Sequence, residues 1–239
     1  MGDSDRKILV AGTGPAGLIA ALLLAHHGYP VTLAGPVPRG RDRRTVALMR
    51  PSLEAIEPLG VLGKLLPETA PLRAMRLVDA TGRLVRSPTV TFHAGEIGEE
   101  YFGLNIPNAR LSEELAEAAK GSPLIEWHES LVGAWSCEAE RVIATLDNGE
   151  RLSAQLAIAA DGRNSPARRA AGMSARTRTL PQSALVLNFK HTREHGFVST
   201  EFHTRSGPCT QVPLPGMRSS LVWVLRPQDA DTMNTLNDN

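Results

Sequence analysis

Three glycines, Gly12, Gly14 and Gly17, recur at the spacing GxGxxG within residues 8–28, ILVAGTGPAGLIAALLLAHHG. This spacing suits a dinucleotide pyrophosphate. The first glycine allows a sharp turn, the second lets the backbone approach a phosphate with no Cβ in the way, and the third lets a helix lie close to its strand. Pro15 fits the first helical turn, where an amide hydrogen would have no partner anyway. The helix N-terminus that follows offers free N–H groups and a partial positive charge to an anion. The same glycines would also serve an ordinary strand–helix turn. A second candidate lies in residues 155–172, QLAIAADGRNSPARRAAG. Asp161 can accept a hydrogen bond from a ribose or ribityl hydroxyl while Gly162 keeps the backbone near the ligand; an Asp-Gly turn with a helix cap explains the pair equally well. Arginines concentrate at Arg39, Arg41, Arg43, Arg44 and Arg50. A solvated basic loop accounts for Arg39 and Arg41, whereas for Arg44, beside the apolar TVAL run, a solvated loop and a phosphate-binding guanidinium fork weigh evenly.

Regular elements must position these groups. Lys7–Ala11 reads as a buried strand, the alanine- and leucine-rich stretch after the glycine turn as a helix, and Tyr29–Ala34 as a second buried strand. Together they make a βαβ unit with a right-handed crossover. Dinucleotide folds place Asp or Glu at the end of that second strand to accept from the adenosine ribose. Here the chain runs Ala34, Gly35, Pro36, with no carboxylate. Pro51–Leu66 carries helical apolar spacing broken near Pro58 and Gly60. Ala74–Val90 reads as a hairpin turning at Ala80–Gly82, and 92–100 as a glycine- and acid-rich loop. Asn108–Lys120 is a helix with Leu111, Leu115, Ala118 and Ala119 on one face. Ile125–His128 is a short strand, and Ser130–Cys137 with Arg141–Leu146 form a meander closed by Asp147, Asn148 and Gly149. The strand Leu156–Ala160 delivers Asp161, after which Ser165 and Pro166 begin another helix.

Composition narrows the function classes. With 239 residues, 42% of them hydrophobic, the chain can pack one large or two modest cores. Lys and Arg number 26 against 25 Asp and Glu, so no polybasic face is implied and nucleic acid is not an expected partner. Cys137 and Cys209 fit neither metal-ligand spacing nor a disulfide framework and read as free thiols in a reducing compartment. Leu18–Ala25 is too short to span a bilayer, and the acidic Asp3 and Asp5 make a poor signal peptide. The seven histidines are scattered and read as structural or exposed, and no nucleophile triad or metal cluster is evident.

The order GTGPAG, RTVAL, an Asn heading a helix, then AADGRNSPARRAAG resembles the flavoprotein aromatic hydroxylases of the para-hydroxybenzoate hydroxylase class. The strings HGFVSTEFHT, GPCTQVPLPG and RSSLVWVL are similar to the substrate-domain sheet of the ubiquinone-biosynthesis hydroxylases, which act on prenylated phenols. The resemblance spans nearly the whole chain. It implies an α/β fold in which a Rossmann-like FAD-binding domain, 1–72 and 101–180, is interleaved with a mainly antiparallel β substrate domain, 73–100 and 181–228. A polar tail would follow over 229–239.

By the same resemblance, Gly12, Gly14, Pro15, Ala16 and Gly17 would surround the FAD pyrophosphate. Arg44 and Asn108 would contact the flavin nucleotide, Asp161 and Gly162 would serve both FAD and NAD(P)H, and Pro213 and Pro215 would lie near flavin and substrate. The implied activity is an FAD-dependent monooxygenase: NAD(P)H reduces the flavin, oxygen forms a C4a-hydroperoxide, and an activated, prenylated phenol is hydroxylated in ubiquinone biosynthesis. A cytoplasmic location with peripheral contact to the inner membrane would suit such a substrate. The family's later Gly-Asp motif does not occur before Asn239, so a C-terminally truncated chain is expected. A non-catalytic FAD-binding fragment and a related flavoprotein reductase are the alternative readings.

Overall fold

A computed structural model describes residues 7–40 and 42–236, and Arg41, Asp3, Asp5 and the last three residues of the expected tail lie outside that description. The residues group into two compact units. The first comprises Met1–Arg41, Glu54–Lys64 and Ala109–Thr177, and the second Asp42–Leu53, Leu65–Asn108 and Arg178–Asn239.

The first unit is built on the glycine turn. The strand Ile8–Ala11 buries Leu9, Val10 and Ala11, and the helix Pro15–His26 returns with Leu18, Ala21, Leu22 and Ala25 buried at helical spacing. Each fully buried leucine contributes about 1.5–3 kcal/mol relative to an exposed one. Four strands pair in the order Leu156–Ala159, Ile8–Ala11, Val31–Ala34, Ile125–His128, and every pairing is parallel. The second strand is two residues shorter than its sequence pattern suggests, starting after Pro30, which has no N–H to give to a ladder. An antiparallel meander of Val132–Cys137, Val142–Leu146 and Arg151–Ala154 accompanies the sheet, with Val132, Ala144, Leu146 and Ala154 in one apolar cluster with Leu9, Ala11 and Ala34. The Asp147–Gly149 turn closes the second hairpin as its Asp-Asn-Gly sequence requires, with Gly149 at φ 88°.

In the second unit, six strands pair in the order Ser183–Lys190, Arg218–Leu225, Pro208–Leu214, Val198–His203, Ala74–Asp79, Val90–His93. All neighbours are antiparallel except Val198–His203 with Ala74–Asp79, which run parallel. The expected tight hairpin over 74–90 is corrected here, because the returning strand begins only at Val90. The Asp79 carboxylate draws the chain outward by accepting from the Thr81 N–H at 3.0 Å, the Thr81 hydroxyl at 2.6 Å and the Ser87 N–H at 3.0 Å. These bonds hold that carboxyl down at about 2, Thr81 contributing most. A smaller sheet joins Thr45–Met49, Gly103–Pro107 and Ala70–Pro71. The polar stretch expected as a tail is helical over Pro227–Asn234, where Pro227 opens the helix, Arg226 pairs with Asp229 at 2.8 Å and Ala230 is buried. Among the described residues no helix is long and apolar enough to cross a membrane.

Candidate functional site

Packing dictates two of the three glycines. Gly12 has φ 108°, its N–H donates to the Ala34 carbonyl at 2.8 Å, and a Cβ built on it would lie 2.1 Å from the Ala160 carbonyl oxygen. A Cβ on Gly17 would lie 1.9 Å from the Gly12 carbonyl oxygen, so the helix can approach the strand only if this residue is glycine. Gly14 differs from both. Its φ of −69° and ψ of 171° are open to any L residue, and a Cβ there would meet nothing within 4 Å. The fold makes no demand for glycine at this position, whereas a ligand approaching the backbone would.

The helix offers what an anion needs. Gly14 caps it without a side-chain bond, Pro15 has no N–H, and the Ala16 and Gly17 N–H groups lie too early in the helix for an intrahelical acceptor. The Leu18 N–H returns to the Gly14 carbonyl at 3.0 Å. A pyrophosphate therefore fits this corner, with open space at Gly14 and two amides at the positive end of a helix.

The neighbouring parallel strand, Leu156–Ala159, brings Asp161 and Gly162 to the same end of the sheet. Gly12, Thr13, Gly14, Ala34, Pro36, Leu131, Val132, Gly133, Asp147, Asp161 and Gly162 are among the residues lining one cavity of about 600 Å³. This is the carboxyl-end crevice where open α/β sheets take their ligands. One oxygen of Asp161 accepts from the Ala167 N–H at 3.1 Å, and the Ser165 hydroxyl accepts from the Arg168 N–H at 2.9 Å, so the helix Pro166–Ala170 is capped twice. Asp161 is thus both a cap and a wall of the cavity.

The absence of an acid at Gly35 has a structural cause. Gly35 has φ 151°, and a Cβ on it would fall 2.7 Å from Thr13 Oγ1. Thr13 donates its hydroxyl to the Pro36 carbonyl, and Trp127 Nε1 donates to the Gly35 carbonyl at 2.8 Å. The Thr13 side chain, held by its bond to Pro36, occupies the place where a Cβ at position 35 would fall.

The remaining candidates belong to the second unit. Arg44 and Asn108 meet through a residue the sequence reading passed over, Asp42. Arg44 binds it bidentately, Nε at 2.9 Å and Nη2 at 2.7 Å, and Asn108 Nδ2 donates to it at 3.1 Å. The Arg44 hydrogen bond holds the Asp42 carboxyl far below the usual carboxylate range, against the opposing effect of burial and with help from Asn108. The Arg44 guanidinium is itself pushed upward by Asp42 and remains 68% exposed. Pro213 is fully buried, its carbonyl accepting from the buried Asn105 side chain at 2.7 Å, and Pro215 is half-buried in the following turn. His195 brackets that turn, its Nε2 lying 3.0 Å from the Leu214 carbonyl and 3.1 Å from that of Gly216. Neither Asp42 nor Asn105 left a sequence signal beyond its polarity, since Asn108 lies 66 residues from Asp42 and Pro213 lies 108 residues from Asn105.

Comparison with known proteins adds family and fold. The family model described as "FAD binding domain" matches residues 5–237. The ubiquinone hydroxylase UbiL of Rhodospirillum rubrum is 30% identical over 231 residues, covering 94% of this chain and 53% of that protein. The 3-demethoxyubiquinol 3-hydroxylase of Escherichia coli is 26% identical over 247 residues, covering 99% of this chain and 62% of that protein. The chain thus spans between about half and three fifths of the length of these relatives. Among solved structures, PqsL of P. aeruginosa in complex with 2-aminobenzoylacetate superposes with a TM-score of 0.78 at 19% identity, covering 95% of this chain and 63% of that one.

Proposed function

The chain belongs to the FAD binding domain family, and from that premise we propose that it carries the nucleotide-binding core and part of the substrate sheet of an FAD-dependent aromatic hydroxylase. The observation that carries this reading is Gly14: open backbone at a helix N-terminus, facing a cavity whose other walls are Asp161 and Gly162. Gly12 and Gly17 shape the turn, the Gly14 backbone and the Ala16 and Gly17 amides take the pyrophosphate, and Pro15 starts the helix without a wasted donor. Asp161 and Gly162 serve flavin and nicotinamide, and Asp42 holds Arg44 and Asn108 ready for the nucleotide. Pro213 and Pro215 shape the substrate side.

Bound flavin supplies two-electron chemistry with NAD(P)H and the activation of oxygen. The contribution of the protein is to bind, orient and exclude water. A prenylated phenol on the route to ubiquinone is the proposed substrate, by likeness to the ubiquinone hydroxylase at 30% identity. Such a substrate would bring the protein to a membrane surface from one side, without insertion.

The test is purification, incubation with FAD and removal of unbound cofactor, followed by NAD(P)H and a prenylated phenol. Retained flavin absorbance and a product heavier by one oxygen are expected. No retained flavin would overturn the cofactor assignment, and a reduced rather than oxygenated product would favour a reductase.

A further inference from the structure

The adenosine ribose of a bound dinucleotide needs a hydrogen-bond acceptor, and the usual carboxylate at the end of the second parallel strand is Gly35, where Thr13 leaves no room for a side chain. Among the described residues two carboxylates line the cavity, Asp161 and Asp147. Asp161 spends one oxygen on the Ala167 N–H. Asp147 lies at the hairpin turn that follows strand Val142–Leu146, and its backbone N–H is fixed to the Leu131 carbonyl at 2.9 Å. Its carboxylate has no hydrogen-bond or ion-pair partner among the described residues, even though the Asp-Asn-Gly turn offers nearby N–H groups. The Glu150 N–H that such a turn would give to a side chain is taken by Asn148 at 3.0 Å.

Gly133 gives this carboxylate its place. A Cβ on Gly133 would lie 2.6 Å from Asp147 Oδ1, so the missing side chain lets the carboxylate lean over residues 131–133, which line the same cavity. Asn164 also lines the cavity, but a neutral amide accepts a hydroxyl proton less strongly than a carboxylate does.

We propose that Asp147 accepts the hydrogen bonds of the adenosine ribose hydroxyls, replacing the acid that the second strand lacks. The inference rests on the assignment of the pyrophosphate to the Gly12–Gly17 turn. It has a consequence for specificity: a carboxylate at the ribose repels a ribose phosphate, so the cavity takes a nucleotide with free 2′- and 3′-hydroxyls.

Calorimetric titration of the whole chain with ADP and with 2′,3′-dideoxy-ADP tests this without any turnover. The wild type should bind ADP about tenfold more tightly than the dideoxy analogue, the factor for one charge-assisted hydrogen bond. Asp147→Ala should abolish that preference and leave the affinity for the dideoxy analogue unchanged. Asp147→Asn, which keeps a turn-favouring side chain and a neutral acceptor, should retain part of the preference and guards against a folding defect. Gly133→Ala should weaken ADP binding by displacing the carboxylate. A preference for ADP that survives in Asp147→Ala overturns the proposal. A wild type that binds neither nucleotide overturns instead the pyrophosphate assignment beneath it.

Discussion

Replacing Gly14 with alanine separates the phosphate cradle from the scaffold that holds it. A methyl group at this position meets nothing within 4 Å and requires no change of backbone conformation. Alanine is a poorer N-cap than glycine by about 1 kcal/mol, and the lower entropy of the unfolded chain returns about 0.4–1 kcal/mol, so stability should change by less than about 1 kcal/mol. Gly12→Ala is the contrasting perturbation. Its Cβ would sit 2.1 Å from the Ala160 carbonyl oxygen at φ 108°, adding overpacking of about 1–3 kcal/mol to backbone strain of similar size. The Gly14 methyl would occupy the space a phosphate enters and cost it at least one charge-assisted bond, about 1.5–3 kcal/mol, or about 10- to 100-fold in Kd. Urea unfolding measures the first quantity and quenching of FAD fluorescence the second. Gly14→Ala should unfold like the wild type and bind FAD weakly. If it binds FAD as tightly as the wild type, the reasoning from Gly14 to a phosphate is wrong.

Other perturbations probe the supports. Asp42→Asn should remove a pH-dependent contribution of the wild type: with a depressed folded-state pKa, Asp42 stabilises above the unfolded carboxylate value near 3.9 and loses that contribution on acidification below it. Because Arg44 is 68% exposed the effect should stay under about 1 kcal/mol, visible as a flatter dependence of the urea midpoint between pH 5 and pH 2. Asn105→Leu should destabilise the chain by about 1–3 kcal/mol in urea, since the buried Pro213 carbonyl would lose its donor. Ser165→Ala should cost about 1 kcal/mol and speed amide exchange at Arg168, while FAD affinity holds because Asp161 still caps Ala167.

The parallel core was legible because each of its signals is local. Leu9, Val10 and Leu33 sit in short apolar runs, and the glycines that turn the chain between strand and helix lie within six residues of one another. The meander was legible for the same reason, through the Asp-Asn-Gly turn. What escaped the sequence was set by residues distant along the chain. The parallel pairing of Ala74–Asp79 with Val198–His203 joins segments more than 100 residues apart, and the widened loop after Asp79 depends on side-chain bonds that no periodicity encodes. The lack of an acid at Gly35 could be read directly, whereas its cause, Thr13 packed against that glycine, could not. The sequence marks Asp147 as a turn residue, which it is, whereas its closeness to Gly133 depends on pairing between strands that the turn motif does not encode. Asp42 escaped because its link to Asn108 spans 66 residues.

The most direct test of the central claim is an FAD titration followed residue by residue in the amide spectrum of the 15N-labelled chain. The amides of Thr13, Gly14, Ala16, Gly17 and Leu18 should move most on binding, together with those of Asp161 and Gly162. Saturating FAD that leaves these amides unmoved, or that shifts a different set, would contradict the assignment of the glycine turn as the pyrophosphate site.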